Sequence, residues 1–413
     1  MTGEGDLCEA LARGELRVLA ERQLERFAAA EPTLRAFAVA DADAAGRALR
    51  EDRTGPLAHV LFGAKDIYAS ADFPTAHGLE PAHAAAPSRD AWVIARARAA
   101  GAVLIGKTAC TPFAYPLPPP TANPVDPART PGGSSSGSAA AVGAGLVAFA
   151  FGSQTAGSTI RPASFCGVTG YKPSFGLLPV DGMTPLAPTL DHVGLFAQSP
   201  RDAWYVTSAL IGPTAEILAP APPRRVALLG LPEQAALSPD YGARLPGLAA
   251  TLRDAGVAVD ERPLPVGWDD FSSLQQRICY WEAARQLRDG AAGPMLPELA
   301  AQLEPHARMD AGAYFEARRL AAAQRAVFDA FAEPYQAVLL PAAPGPAPLR
   351  KDGTGDAVLN RYWTVMHVPA ATVPLWRSGE GLPLGLQIVG RFGSDRALLA
   401  VAQWLLENTA PRA

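Results

Sequence analysis

The chain has 413 residues, of which 49% are hydrophobic and 18% charged, and its formal net charge is −4. This balance excludes a disordered chain, and the lack of a dense basic cluster argues against direct contact with nucleic acid. Cys8, Cys110, Cys166 and Cys279 are widely spaced and form no metal pattern, which suits a reduced, cytoplasmic compartment; no stretch is long and apolar enough to span a bilayer, and the first 30 residues lack the apolar run of a secretory signal.

Along the chain, residues 6–30 carry apolar side chains at helical spacing and predict one or two amphipathic helices. His59 to Ala64 predicts a short buried strand running into Lys65 and Asp66. Ala91 to Ala100 predicts a helix ended by Gly101, and Ala102 to Ile105 a strand. A proline-rich loop, Pro112 to Pro131, follows. It overlaps an uncharged stretch from Thr130 to Ile160, flanked by Arg129 and Arg161. There, two Gly-Ser clusters, Gly132 to Ser138 and Gly152 to Ser158, bracket an apolar middle. Ser134 or Ser135 can cap a helix through Ala139 to Gly145. Val147 to Phe151 reads as a strand, and a tight turn at Gln154 to Gly157 leads into a second short helix at Ser158. From Pro213 to Glu333 the pattern changes. A strand at Val226 to Leu229, a helix at Leu245 to Asp254 and a strand near Val257 precede long helices at Phe271 to Arg288 and Ala311 to Phe331. Strands at Ala337 to Leu340, Ala370 to Val373 and Leu384 to Val389 and a closing helix at Asp395 to Leu406 complete the chain. Helix and strand alternate, so a sheet covered by helices is expected.

The Gly-Ser clusters carry the chemistry. Glycine lets the backbone turn tightly and approach a ligand, freed backbone N–H groups can hold an oxyanion, and a serine becomes a nucleophile when a base activates it. Two tempting motifs fail on context. Gly101 to Thr108 fits the P-loop letter for letter, but its four middle residues read as a strand, where a P-loop needs a loop presenting N–H groups. Gly133 to Gly137 fits the nucleophile elbow, but a proline loop precedes it where the elbow needs a strand.

The run Gly132-Gly-Ser-Ser-Ser-Gly-Ser138, followed by Gly152-Ser-Gln-Thr-Ala-Gly-Ser-Thr-Ile-Arg-Pro162, resembles the signature of the amidase signature family. Supporting matches are Gly63 to Ile67, Gly101 to Thr108, Asn123-Pro124, Cys166 to Pro173, Leu190 to Gly194, Leu340-Pro341, Val368 to Ala370 and Leu382 to Gln387. The resemblance implies one α/β domain over residues 1–413, a large mixed sheet between layers of helices. Residues 62–212 and 334–413 would be the core, and 213–333 a variable region forming much of the substrate pocket.

It also implies a Ser-Ser-Lys triad hydrolysing amides without a cofactor or metal. Lys65 would be the base, Ser134 the bridging serine in a cis peptide, and Ser158 the nucleophile. The backbone N–H groups of Thr155, Ala156, Gly157 and Ser158 would form the oxyanion hole. Gln154 and Ala156 depart from the Asp and Gly that many members carry. Arg161, one turn beyond Ser158, is a candidate for a substrate carboxylate, and Gln154 and Ser135 are further candidates for substrate contact. Asp191 is expected to tie loops together near the triad, and His367 to pack rather than to react. The expected partner is a small amide, with a homodimer left open. The rival substrates are ureido or carbamoyl compounds of the allophanate or biuret kind, and glutamine, as in the amidotransferase component that feeds ammonia to charged tRNA. A binding protein without catalysis is the rival class, and the intact triad argues against it.

Overall fold

A computed structural model describes residues 6–79, 87–114, 120–231, 235–242, 244–265, 271–287 and 297–410. Their strands are β1 (Phe37–Ala40), β2 (Leu61–Lys65), β3 (Val103–Thr108), β4 (Phe149–Gln154), β5 (Thr169–Lys172), β6 (His192–Ala197), β7 (Arg225–Leu229), β8 (Ala258–Arg262), β9 (Ala337–Pro341), β10 (Ala370–Arg377) and β11 (Pro383–Val389). All 11 join one mixed sheet in the order β1-β3-β2-β4-β6-β5-β10-β11-β9-β7-β8.

Period-two alternation divides the sheet into two apolar faces. In β9, Ala337 and Leu339 enter one core cluster, and Val338 and Leu340 another. In β4, Phe149 and Phe151 join the first cluster while Ala150 faces a third. Helices Leu7–Arg13, Trp92–Ala99, Pro200–Ile211 and Asp395–Thr409 cover the first face. The other face is covered in two parts. Helices Leu16–Leu34 and Ser136–Gly143 lie over one part, and helices Phe271–Gln286, Ala311–Ala332 and Arg361–Val365 over the other. The architecture is therefore the expected mixed sheet between helix layers. No described helix is long and apolar enough to cross a membrane.

Local signals account for most boundaries. The N-terminal amphipathic stretch breaks into two helices at Gly14, which takes the left-handed conformation (φ 70°) that closes a helix at little steric cost to glycine. The segment 103–108 is a strand paired with β2 and β1, so the P-loop reading fails as expected. Several boundaries differ from expectation, and those near the Gly-Ser clusters matter most. The strand expected to end at Phe151 runs on to Gln154, because Gly152, Ser153 and Gln154 keep pairing with β6. The helix expected through Ala139 to Gly145, capped by Ser134 or Ser135, starts at Ser136 behind Ser135 and ends at Gly143. Its N-cap, Ser135, makes no side-chain cap, because its hydroxyl accepts from Ser153 N instead. The second short helix begins at Ile160 rather than Ser158. Of the helix expected over Phe271 to Arg288, the described part ends at Gln286, and Arg288 lies outside the described residues.

Strands β1, β5 and β6 and the helix Pro200–Ile211 have no counterpart among the sequence expectations. β5 has four residues, Thr-Gly-Tyr-Lys, too few to show a period; its place is decided by pairing with β6 and β10.

Candidate active site

Lys65 ends β2, and β4 runs parallel beside it, with Ala64 level with Phe151. The next residues of β4 therefore lie beside the Lys65 side chain. Its amine, fully buried, donates to Ser134 Oγ at 2.7 Å and to Ser153 Oγ at 2.8 Å. Burial pushes the amine down from 10.5 to about 8; the Cys110 thiol and the Asp191 carboxylate pull weakly the other way. Ser134 follows a cis peptide bond from Gly133, and its carbonyl accepts from Thr111 N at 3.2 Å.

The strand end is anchored by the next residue. Asp66 forms a buried ion pair with Lys107 at 3.4 Å and accepts the backbone N–H groups of Ala76 and Gly78. Removing either partner would leave a buried charge uncompensated.

Past Gln154 the chain turns through Thr155, Ala156 and Gly157 to Ser158. Side chains pin this turn from below. Gln154 Oε1 accepts from Thr159 N at 3.0 Å and Ile160 N at 3.1 Å, and its Nε2 donates to Thr364 Oγ1 at 3.2 Å. Thr155 Oγ1 donates to Asp191 Oδ1 at 2.6 Å, while Asp191 Oδ2 accepts from Leu186 N and Ala187 N. Gln275 Nε2 donates to Thr155 O, and Thr364 Oγ1 to Ala156 O, at 2.8 Å each. Among the described residues no hydrogen bond consumes the N–H groups of Ala156, Gly157 or Ser158. Gly157 is required by crowding: a Cβ there would lie 2.5 Å from Asn360 Oδ1.

Ser134, Ala156, Ser158 and Arg161 line one cavity of about 720 Å³ together with Phe165, Tyr280, Asp352, Asp356 and Arg361. Arg161 is buried, donates through Nη2 to Gly133 O at 2.5 Å, and is pushed down to about 10 by burial and then by the charge of Arg361. Ser153 and Thr155 line a smaller neighbouring pocket with His77 and Asp191. Gln154 and Ser135, candidates for substrate contact from sequence, line neither. Gln154 is spent on the turn, and Ser135 Oγ on the backbone of Ser153. His367 stacks on Phe175 with ring centroids 4.1 Å apart, bonds to Thr189 O, and is held down to about 3 mainly by burial.

Sequence reasoning missed Ser153, the amine's second hydroxyl partner. A signal was available in the lysines. Among 36 Lys and Arg residues, only Lys65, Lys107, Lys172 and Lys351 are lysines, and the first three are fully buried. A chain that gives its surface to arginine keeps lysine where an amine that can lose its proton is needed, or where a small ammonium fits.

A family model described as Amidase matches residues 19–399. The A subunit of glutamyl-tRNA(Gln) amidotransferase from Synechococcus sp. (strain WH7803) is 32% identical over 95% of this chain and 94% of its own length. A crystal structure of an amidase superposes with a TM-score of 0.85 at 29% identity, covering 97% of this chain and 99% of that one. The native peptide amidase of Stenotrophomonas maltophilia gives a TM-score of 0.79 at 27% identity, covering 99% and 97%.

Proposed function

The chain belongs to the amidase family and is a hydrolase of carbon–nitrogen bonds other than peptide bonds, and from that premise we propose that it cleaves a linear amide through an acyl-enzyme on Ser158. The observation that carries this reading is the buried Lys65 amine in contact with the Ser134 hydroxyl, which shares a cavity wall with Ser158. An amide is a poor substrate because its nitrogen leaves only once protonated. The enzyme must therefore take a proton from the nucleophile and return it to the leaving group.

Neutral Lys65 accepts the Ser134 hydroxyl proton along the 2.7 Å line, and Ser134 accepts that of Ser158. Ser158 Oγ then bonds to the carbonyl carbon. The carbonyl oxygen becomes an oxyanion facing the N–H groups of the Thr155 to Ser158 turn, where each well-placed donor lowers the barrier by roughly 3–4 kcal/mol. Collapse breaks the C–N bond as the proton returns through Ser134 to the nitrogen. Water, deprotonated by the same route, then releases the acid. Ser153, the second partner of Lys65, holds the amine in line. Tyr280, on the cavity wall, supports assigning residues 213–333 to the substrate pocket of one amidase domain, 1–413.

A second reading, glutamine hydrolysis within an amidotransferase complex, is favoured by the near full-length similarity to the Synechococcus amidotransferase component. Ammonia release from primary amides, aryl amides, ureido acids and glutamine separates the substrate classes. A serine-reactive phosphonate should add to Ser158 by mass spectrometry, and Ser158→Ala should abolish both adduct and turnover. An adduct elsewhere, or turnover by the variant, refutes the assignment.

A further inference from the structure

We propose that Arg361 and Arg161 form a two-arginine anion site in the cavity, so that the preferred substrate is an amide carrying a carboxylate a short aliphatic spacer away; this rests on the hydrolase reading above. Arg161 lies three positions beyond Ser158, its N–H bonds Gly157 O at 3.2 Å as in a helical turn, and both residues line the same cavity. Its side chain is only 6% exposed, and its one hydrogen bond runs from Nη2 to Gly133 O. Arg161 Nε is buried with no partner, and among the described residues no carboxylate lies within ion-pair distance of this guanidinium. A buried donor left unmatched is costly, and more so on a charged group.

Arg361 opens the helix Arg361–Val365 and lines the same cavity. It donates from Nη1 to Ser272 Oγ at 2.6 Å, and its one ion pair among the described residues is with Asp356, 3.9 Å away with a side chain 57% exposed. A pair at that distance with its carboxylate largely in solvent neutralises little. The Arg361 charge adds to the lowering of Arg161 by burial, and the Asp356 carboxylate, the smallest of the three effects, opposes it. A planar carboxylate between them would supply the missing acceptor and offset the like charge, and the guanidinium fork suits bidentate pairing. Asp352 and Asp356 stand at the exposed mouth, so a cationic amide is the competing choice, and the test includes one.

The experiment compares kcat/KM for succinamic acid, butyramide and 4-aminobutyramide, which are matched in length and carry an anion, no charge and a cation. The wild type should prefer succinamic acid over butyramide by at least tenfold. Arg361→Gln should cut the succinamic acid to butyramide ratio at least tenfold, through KM, with Arg361→Lys intermediate. Equal rates on the three amides, preference for the cation, or an unchanged ratio in Arg361→Gln overturns the site. Calorimetry with succinate, which needs no turnover, is the independent arm. Succinate should bind the wild type at least tenfold tighter than Arg361→Gln, and equal binding overturns the site. Failure of the phosphonate to label Ser158 would count against the hydrolase reading, leaving succinate binding to decide the arginine pair.

Discussion

Replacing Lys65 by methionine separates the chemistry of the amine from its cost to the fold. With the amine near 8 in the folded chain, about a tenth of it is neutral at pH 7 and about nine-tenths at pH 9, so kcat/KM should rise about tenfold between them. Lys65→Met should lose at least about a thousandfold in kcat/KM and the limb with it. Its stability should follow the opposite logic. Unfolding returns the amine from about 8 to 10.5, so the unfolded chain binds more protons across that window, and the wild type gains stability as pH rises through it. At about 1.4 kcal/mol per pH unit, burying the amine costs the wild type about 3 kcal/mol at pH 6.5, where it stays charged, and about 1.4 kcal/mol at pH 9.5, where it is neutral only when folded. Methionine removes that cost but leaves the Ser134 and Ser153 hydroxyls without the amine, at about 1–3 kcal/mol each. The variant should therefore fold about as stably as the wild type near neutrality. The wild type should then gain about 2 kcal/mol on it from pH 6.5 to 9.5, measured by urea denaturation at both pH values. A pH–rate profile flat between 7 and 9, more than one per cent residual activity in the variant, or a stability difference that does not move with pH would refute the neutral-base argument.

Three further substitutions test the surroundings. Gly157→Ala drives a methyl to within 2.5 Å of Asn360 Oδ1 and 2.9 Å of Ala357 Cβ, so the turn must shift; kcat should fall at least a hundredfold with KM changed far less, read by steady-state kinetics. Gln154→Ala strips the acceptor from Thr159 N and Ile160 N in a buried site; denaturant melts should show a loss of about 2–4 kcal/mol. Ser153→Ala leaves Lys65 with Ser134 alone; kcat should drop about tenfold while the phosphonate still labels Ser158.

The parts of this site that the sequence announced are those where one residue type has one use. Gly157 could be read from the signature because no side chain fits beside Asn360, and Lys65 because a strand end delivers it to a cleft. The serines were harder, since a hydroxyl serves as nucleophile, relay, cap or brace with the same chemistry. Ser134, Ser135, Ser136 and Ser138 are near neighbours in one run, yet they contact Lys65, the backbone of Ser153, the Gly132 carbonyl and the Phe151 carbonyl in turn. Which serine does which is decided by strand register: β4 pairs in parallel with β2, and that pairing brings Ser153 beside Lys65 from 88 positions away. Gln154 shows the same limit from the other side. Its place in the signature suggested contact with substrate, but the turn above it exposes two buried N–H groups that need an acceptor, and satisfying them uses its side-chain oxygen. Long-range pairing is thus what sorts a run of like residues into chemical and structural roles. A Ser135→Ala variant should accordingly disturb the register of β4 rather than bind substrate less tightly, which amide exchange at Ser153 N would report.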